Sequence, residues 1–238
     1  MDGKQDWTKE PVMAPEEEND GKSPKKERKG LFDRENPMNL VLGTLGSLIL
    51  VNIYFIVCSL PIVTMGASLT ALNRTCYALL EESDERITKL FFKTFAQNLL
   101  DATLVWIIGL GVVSFAGYQV YRILTQGAGT TAESIVMGLC GLVILAVLVL
   151  LTFYFALLFR YADPVWIQLR NAFLTGISNL GWTLVIWVTW GAVIALYVAV
   201  PGVWKAAGWI WLVIGFALMG YVTCRIYRRV FAKLEGKQ

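Results

Sequence analysis

The chain has no histidine, so it lacks the side chain that most often serves as general base, metal ligand and pH switch. Cysteine is scarce too. Cys58, Cys76, Cys140 and Cys224 lie far apart in apolar sequence, with no CxxC pair. That spacing argues against a disulfide framework or a zinc site and leaves packing as their use. Charge is thin, at 16% of residues, against about 25% in soluble domains. Phosphate-binding loops, HExxH and GxSxG do not occur. Ser47, Ser59, Ser68 and Ser114 have no Lys or Asp at a telling spacing. The expectation is a protein that is not an enzyme and uses no metal and no cofactor.

What is present is apolar: 56% of the 238 residues are hydrophobic, with 9 Trp. So little polar surface cannot cover a soluble core, and the lipid bilayer becomes the expected partner. The net charge of +3 is not a nucleic-acid signal, because it sums an acidic tail and basic membrane flanks. Residues 1–30 carry Pro11, Pro15, Pro24, the acidic run Glu16–Glu18 and a basic run from Lys25 to Lys29. They have too little apolar surface to offset chain entropy and read as a disordered cytoplasmic tail. The basic run either touches anionic lipid or is simply solvated. The first apolar run begins behind this tail, near Asn39, and reads as an uncleaved anchor.

A helix needs about 20 apolar residues to cross the hydrocarbon. Runs over 39–60, 99–122, 134–159, 179–200 and 207–225 meet this. A sixth, 61–80, opens with Pro61 and carries Asn73 and Arg74 inside. Hydropathy leaves it between a span and a re-entrant segment, and charge decides. With six spans and the N-terminus inside, every Lys and Arg except Arg122 and Lys205 falls on the inner side. With five, the same residues divide almost evenly. Basic residues concentrate on the cytoplasmic side, so the sequence predicts an all-α bundle of about six spans in domain 31–232. Both ends are then cytoplasmic, in a multi-pass protein of the cell membrane, and 233–238 is a short inner tail. The outer connections are the turn at Leu60-Pro61, 123–133 and 201–206, with Trp204, Trp209 and Trp211 at the outer interface.

Two inner connections read as amphipathic helices. In the first, Ser83 is the predicted cap, with Ile87, Leu90, Phe91 and Phe95 as the apolar stripe. In the second, Asp163 caps, Pro164 opens the helix, and Trp166, Leu169, Phe173 and Ile177 form the stripe. At an offset of 81, Lys89, Phe92, Thr94, Asn98, Leu99 and Trp106 match Arg170, Phe173, Thr175, Asn179, Leu180 and Trp187. The matches suggest a repeated unit of amphipathic helix plus span.

Polar groups at membrane depth are the candidate binding residues: Asn52, Asn73, Arg74, Asn98 and Asp101. Arg74 and Asp101 either pair or sit wet at the interface. The asparagines, Asn171 included, serve a site or bond between helices. Free for a partner are Arg86, Lys89 and Lys93 on the first amphipathic helix and Gln168, Arg170 and Asn171 on the second. Gly191, Ala195 and Ala199 form a small-residue stripe that suits an internal contact or a homodimer.

The stretch NIYFIVCSLPIVTMGASLTA at Asn52–Ala71, with FFKTFAQN at Phe91–Asn98, resembles the YesL family, small membrane proteins of Gram-positive bacteria. The matching positions are Asn52, Leu60, Pro61, Thr64, Gly66, Ala67 and Ala71, then Phe91, Phe95 and Asn98. The resemblance runs from about Phe32 to Phe231. It departs at Tyr54-Phe55, where a Trp is usual, and at Ala67, where a Pro follows the Gly. It implies no catalytic residues. It does imply a place beside carbohydrate import, with permease subunits of ABC transporters as partners. The leading expectation is therefore an accessory subunit of a carbohydrate transport or sensing complex. A small solute permease is the alternative, and an intramembrane enzyme comes third.

Overall fold

The computed structural model describes residues 37–83, 85–126, 130–161, 163–200, 202 and 208–235. The tail over 1–30, Asp84, Trp204, Lys205 and residues 236–238 lie outside the described residues. Helix α1 (Pro37–Ser59) leads through a 3-10 turn (Ile62–Thr64) into α2 (Met65–Leu80). Then come α3 (Ile87–Gln97), α4 (Leu99–Gln126), α5 (Thr131–Leu158), α6 (Val165–Ser178) and α7 (Leu180–Ala199). The last helical segment begins at Gly208, passes through a π-helical stretch (Trp211–Gly215) and continues as α8 (Phe216–Leu234). No strand occurs among the described residues, so the fold is the expected all-α bundle. Five helical segments are long and apolar enough to cross a membrane: Val41–Ser59, Leu99–Thr125, Thr131–Leu158, Leu180–Ala199 and Gly208–Lys233.

Helix α2, at 16 residues, is too short to join them. It is instead the centre of the bundle, packed on α1, α3, α4, α5 and α8. Its sequence explains this. Gly66, Ala67, Ser68, Thr70 and Ala71 are all buried, and small residues let neighbouring backbones come close. At Gly66 an added Cβ would lie 2.6 Å from the Ala102 carbonyl oxygen and 2.8 Å from Trp106 Cβ. The hydroxyls of Thr70 and Thr75 donate back to Gly66 O (3.0 Å) and Ala71 O (2.7 Å), which makes them tolerable in an apolar core.

The turn into α2 is apolar and exposed, with Leu60 at 75% and Ile62 at 66%. Its backbone is nevertheless closed. Thr64 Oγ1 donates to Cys58 O at 2.7 Å and Pro61 O at 2.9 Å, and Trp106 Nε1 donates to Ile62 O at 2.9 Å. From Trp106, α4 runs on to Gln126, about 30 Å of further helix. The turn therefore lies far short of the α4–α5 tip.

The repeat is present in three dimensions. α3 folds back along α2, and α6 folds back along α5. Each ends at an asparagine, Asn98 or Asn179, where the chain bends into a long helix. In both, the Asn Nδ2 donates to the carbonyl of the Thr four residues back, at 2.9 Å to Thr94 and 3.0 Å to Thr175. Trp106 and Trp187 also correspond, and the Trp187 indole donates to Thr152 Oγ1 at 3.0 Å.

The ends of α2, α5 and α8 converge. Arg160, just past α5, pairs with Glu235, with Nε–Oε1 at 3.0 Å, and lies over the rings of Tyr77 and Phe231. Arg228 donates to Leu80 O at 3.4 Å.

The close approach at Gly66 sets the first expectation. Gly66→Ala forces α2 from the α4 backbone and should lower stability by about 1–3 kcal/mol. Gly111→Ala, with nothing within 4 Å of the new Cβ, should be neutral or stabilising. Thermal melts in detergent that rank the two variants equally would contradict the close-packed α2–α4 contact.

Candidate functional site

The five predicted binding residues separate into three places. Asn52 is fully buried on α1 and faces the π-helical stretch. Its Nδ2 donates to Trp211 O (3.0 Å) and Leu212 O (2.9 Å), and its Oδ1 accepts from Ala217 N (3.0 Å). A π turn displaces the ordinary i→i−4 ladder and frees such groups. The Asn52 amide is used up in closing them and holds nothing for a ligand.

Asn73 lines a cavity of about 280 Å³ between α2, α4, α5, α7 and α8, walled by Leu72, Leu151, Trp106 and Trp187. No charged side chain lines it.

Arg74, Asn98 and Asp101 do come together. They line a cavity of about 540 Å³ at the end of the bundle, with Lys93, Asp163 and Gln168. The bend at Asn98 opens it by turning α4 away from α3, and the α5–α6 connection forms its other wall. Arg74 and Asp101 do not form the ion pair considered from sequence; the ion pair at this end is Arg160–Glu235. Neither Arg74 nor Lys93 has a charged or hydrogen-bonding partner among the described residues, and the same holds for the carboxylates of Asp101 and Asp163.

Of the expected partner-facing residues, Arg86, Lys89 and Lys93 are exposed on α3. The α3 apolar stripe turns inward through buried Leu90 and Phe91, with Tyr54 of α1 against Phe91 and Phe92. On α6, Arg170 is exposed and Asn171 half-buried, but Gln168 is buried at 3% exposure. The α6 face is therefore rotated from the expected one. Gln168, Ala172, Thr175 and Gly176 pack inward, while Trp166 is 78% exposed. The reason is close approach to α5: a Cβ on Gly176 would lie only 2.4 Å from Val149 Cγ1. Small residues win that contact, and the large apolar ones face outward as they do on the lipid side of membrane helices.

Two caps also move. Ser83 does not cap α3, which starts at Ile87 after Arg86. Glu82 takes a left-handed φ of 52° and Ser83 N bonds Ala78 O at 3.1 Å, so both residues are spent ending α2. On α6 the cap position is Pro164 rather than Asp163. Gly191, Ala195 and Ala199 are all exposed on α7, so the stripe makes no internal contact. Trp209 is exposed, but Trp211 packs against Trp190, Tyr197 and Phe216.

The class these features define is a helical bundle built from membrane-spanning helices, with a polar cavity at one end. Residues 48–119, from the second half of α1 into α4, match the family described as "Protein of unknown function, DUF624". No curated protein and no solved structure matches the chain. The matched stretch holds Asn52, Gly66, Arg74, Asn98 and Asp101.

These placements separate structural from free polar groups. Asn52→Leu strands two carbonyls and an N–H in the core and should cost on the order of 3 kcal/mol. Arg74→Ala and Asp101→Ala, unpaired at the wet end, should stay within about 0.5 kcal/mol. Melting temperatures of the three variants decide; a large loss at Arg74 or Asp101 would mean that a charge pair forms after all.

Proposed function

We propose that the protein is an accessory membrane subunit of a carbohydrate ABC-transport or sensing system, related to the YesL proteins of Gram-positive bacteria. The observation that carries this reading is the free basic face of α3. Arg86, Lys89 and Lys93 are exposed, while the opposite face of that helix is committed to α1 and α2. A fixed helix offering three unpaired cations suits an acidic partner surface at the membrane edge. The permease alternative needs a polar route through the bundle. It is less supported, since Asn52 is consumed by backbone groups and the central cavity has no charged lining. Replacing Arg86, Lys89 and Lys93 by Glu should abolish co-purification with a transporter in mild detergent and leave the melting temperature nearly unchanged. A triple variant that keeps the same transporter would move the contact into the membrane and sink this assignment.

The proposed topology places both ends and the α2–α3 and α5–α6 connections in the cytoplasm. The α1–α2 hairpin then returns to the inner side with its turn still in lipid, because α4 extends about 30 Å beyond the turn's level. This keeps the charge bias of six segments. Single cysteines on a Cys-free background test it with membrane-impermeant thiol reagents. Positions 86 and 229 should label from inside, 130 from outside, and 62 from neither. Outside labelling at 62 would make α1 and α2 complete spans; outside labelling at 86 or 229 would invert the arrangement.

A further inference from the structure

The end cavity shares Lys93 with the α3 basic face, but its other charged groups play no part in the accessory-subunit reading. Charges of both signs line one space: Arg74 and Lys93 on one hand, Glu85, Asp101 and Asp163 on the other, beside Arg160, which is paired with Glu235. The second observation is Gln168. It is buried, lines the same cavity, and donates through Nε2 to Tyr161 O at 2.7 Å. Its Oε1 has no partner. Three buried side-chain atoms lack partners among the described residues, the others being Ser59 Oγ and Thr103 Oγ1. Of the three residues, Gln168 alone lines one of the cavities described above. Buried acceptors are rarely left unpaired.

The charge arrangement selects the ligand. A simple anion would meet the three carboxylates, and a simple cation would meet Arg74 and Lys93, so each gains from one set and loses to the other. A zwitterion gains from both. We propose that this cavity binds a small zwitterion with an anionic group and a primary ammonium a few bonds apart. The anion goes to Arg74 and Lys93. The ammonium goes to Asp101 and Asp163, with Gln168 Oε1 accepting one of its N–H bonds. The volume of about 540 Å³ is in the range of small-molecule sites. The chemistry fits a phosphoethanolamine lipid headgroup as well as a free zwitterion from the aqueous side.

The test uses the full chain in detergent. Phosphatidylethanolamine and phosphatidylglycerol are offered as lipids and read by native mass spectrometry. O-phosphoethanolamine and inorganic phosphate are offered as solutes and read by calorimetry. At least one zwitterion should bind, and more tightly than the matching anion. Arg74→Gln and Asp101→Asn should each weaken it about tenfold or more, while Lys233→Gln, on the exposed end of α8, leaves it unchanged. Binding of the lipid alone assigns a headgroup; binding of the solute assigns a free ligand. Equal retention of phosphatidylglycerol, insensitivity to both variants, or no zwitterion binding at all would overturn the proposal. Because Arg74 and Asp101 lie off the α3 basic face, these results leave the transporter-association experiment separately decidable.

Discussion

In lipid, a backbone carbonyl or N–H that leaves the helical ladder has no water to turn to. Several departures from regular helix among the described residues are met by a side chain. Asn52 closes the π stretch. Thr64 and Trp106 close the α1–α2 turn. Asn98 and Asn179 close the two bends. The bundle can have short helices, a recessed turn and sharp bends because these groups are met locally, by Thr64, Asn98 and Asn179, or from a neighbouring helix, by Asn52 and Trp106.

That constraint separates structural polar residues from those open to function. Judged from sequence alone, Asn52, Arg74 and Asp101 are one class: costly groups in apolar surroundings. Their partners divide them. The Asn52 amide is satisfied on both sides by one helix. The groups left over lie at one end, where α2 and α5 finish and α3 and α6 begin. The interior cavity keeps Trp106, Trp187 and Tyr227 but no charge. A hydrophilic solute would lose its hydration there with nothing to replace it. Functional chemistry is therefore concentrated at the end of the bundle.

The long helices were legible because composition over about 20 residues is a strong signal. The repeated unit was legible through Asn98 and Asn179 at a constant offset of 81, but the bend each makes was not. Other features were not, for identifiable reasons. The apolar stripe on α6 was open to lipid or to the bundle, and the sequence did not show that Gln168 would sit on the packed face. Beside lipid, large apolar side chains gain nothing by turning inward, so Ala172, Thr175 and Gly176 take the contact. The π stretch leaves no mark in WLVIG itself; its signal lies far away in the sequence, at Asn52. Gln168 looked like a surface residue because amides usually are.

The repeat explains why the two halves of the cavity wall differ. In each unit a helix ends, an amphipathic helix returns along it, and an Asn bend starts the next long helix. α5 has its full 28 residues, packed along α4. α2 has 16 and is cut short by the turn that Trp106 stabilises. The shorter unit brings Arg74 close to the first turn of α4 and to Asp101. The longer one brings Asp163 and Gln168 in from the other side. The α2–α4 unit supplies groups of both signs, Arg74, Lys93, Glu85 and Asp101, and the α5–α6 unit adds Asp163 and Gln168, so cations and carboxylates meet around one space beside the bend at Asn98.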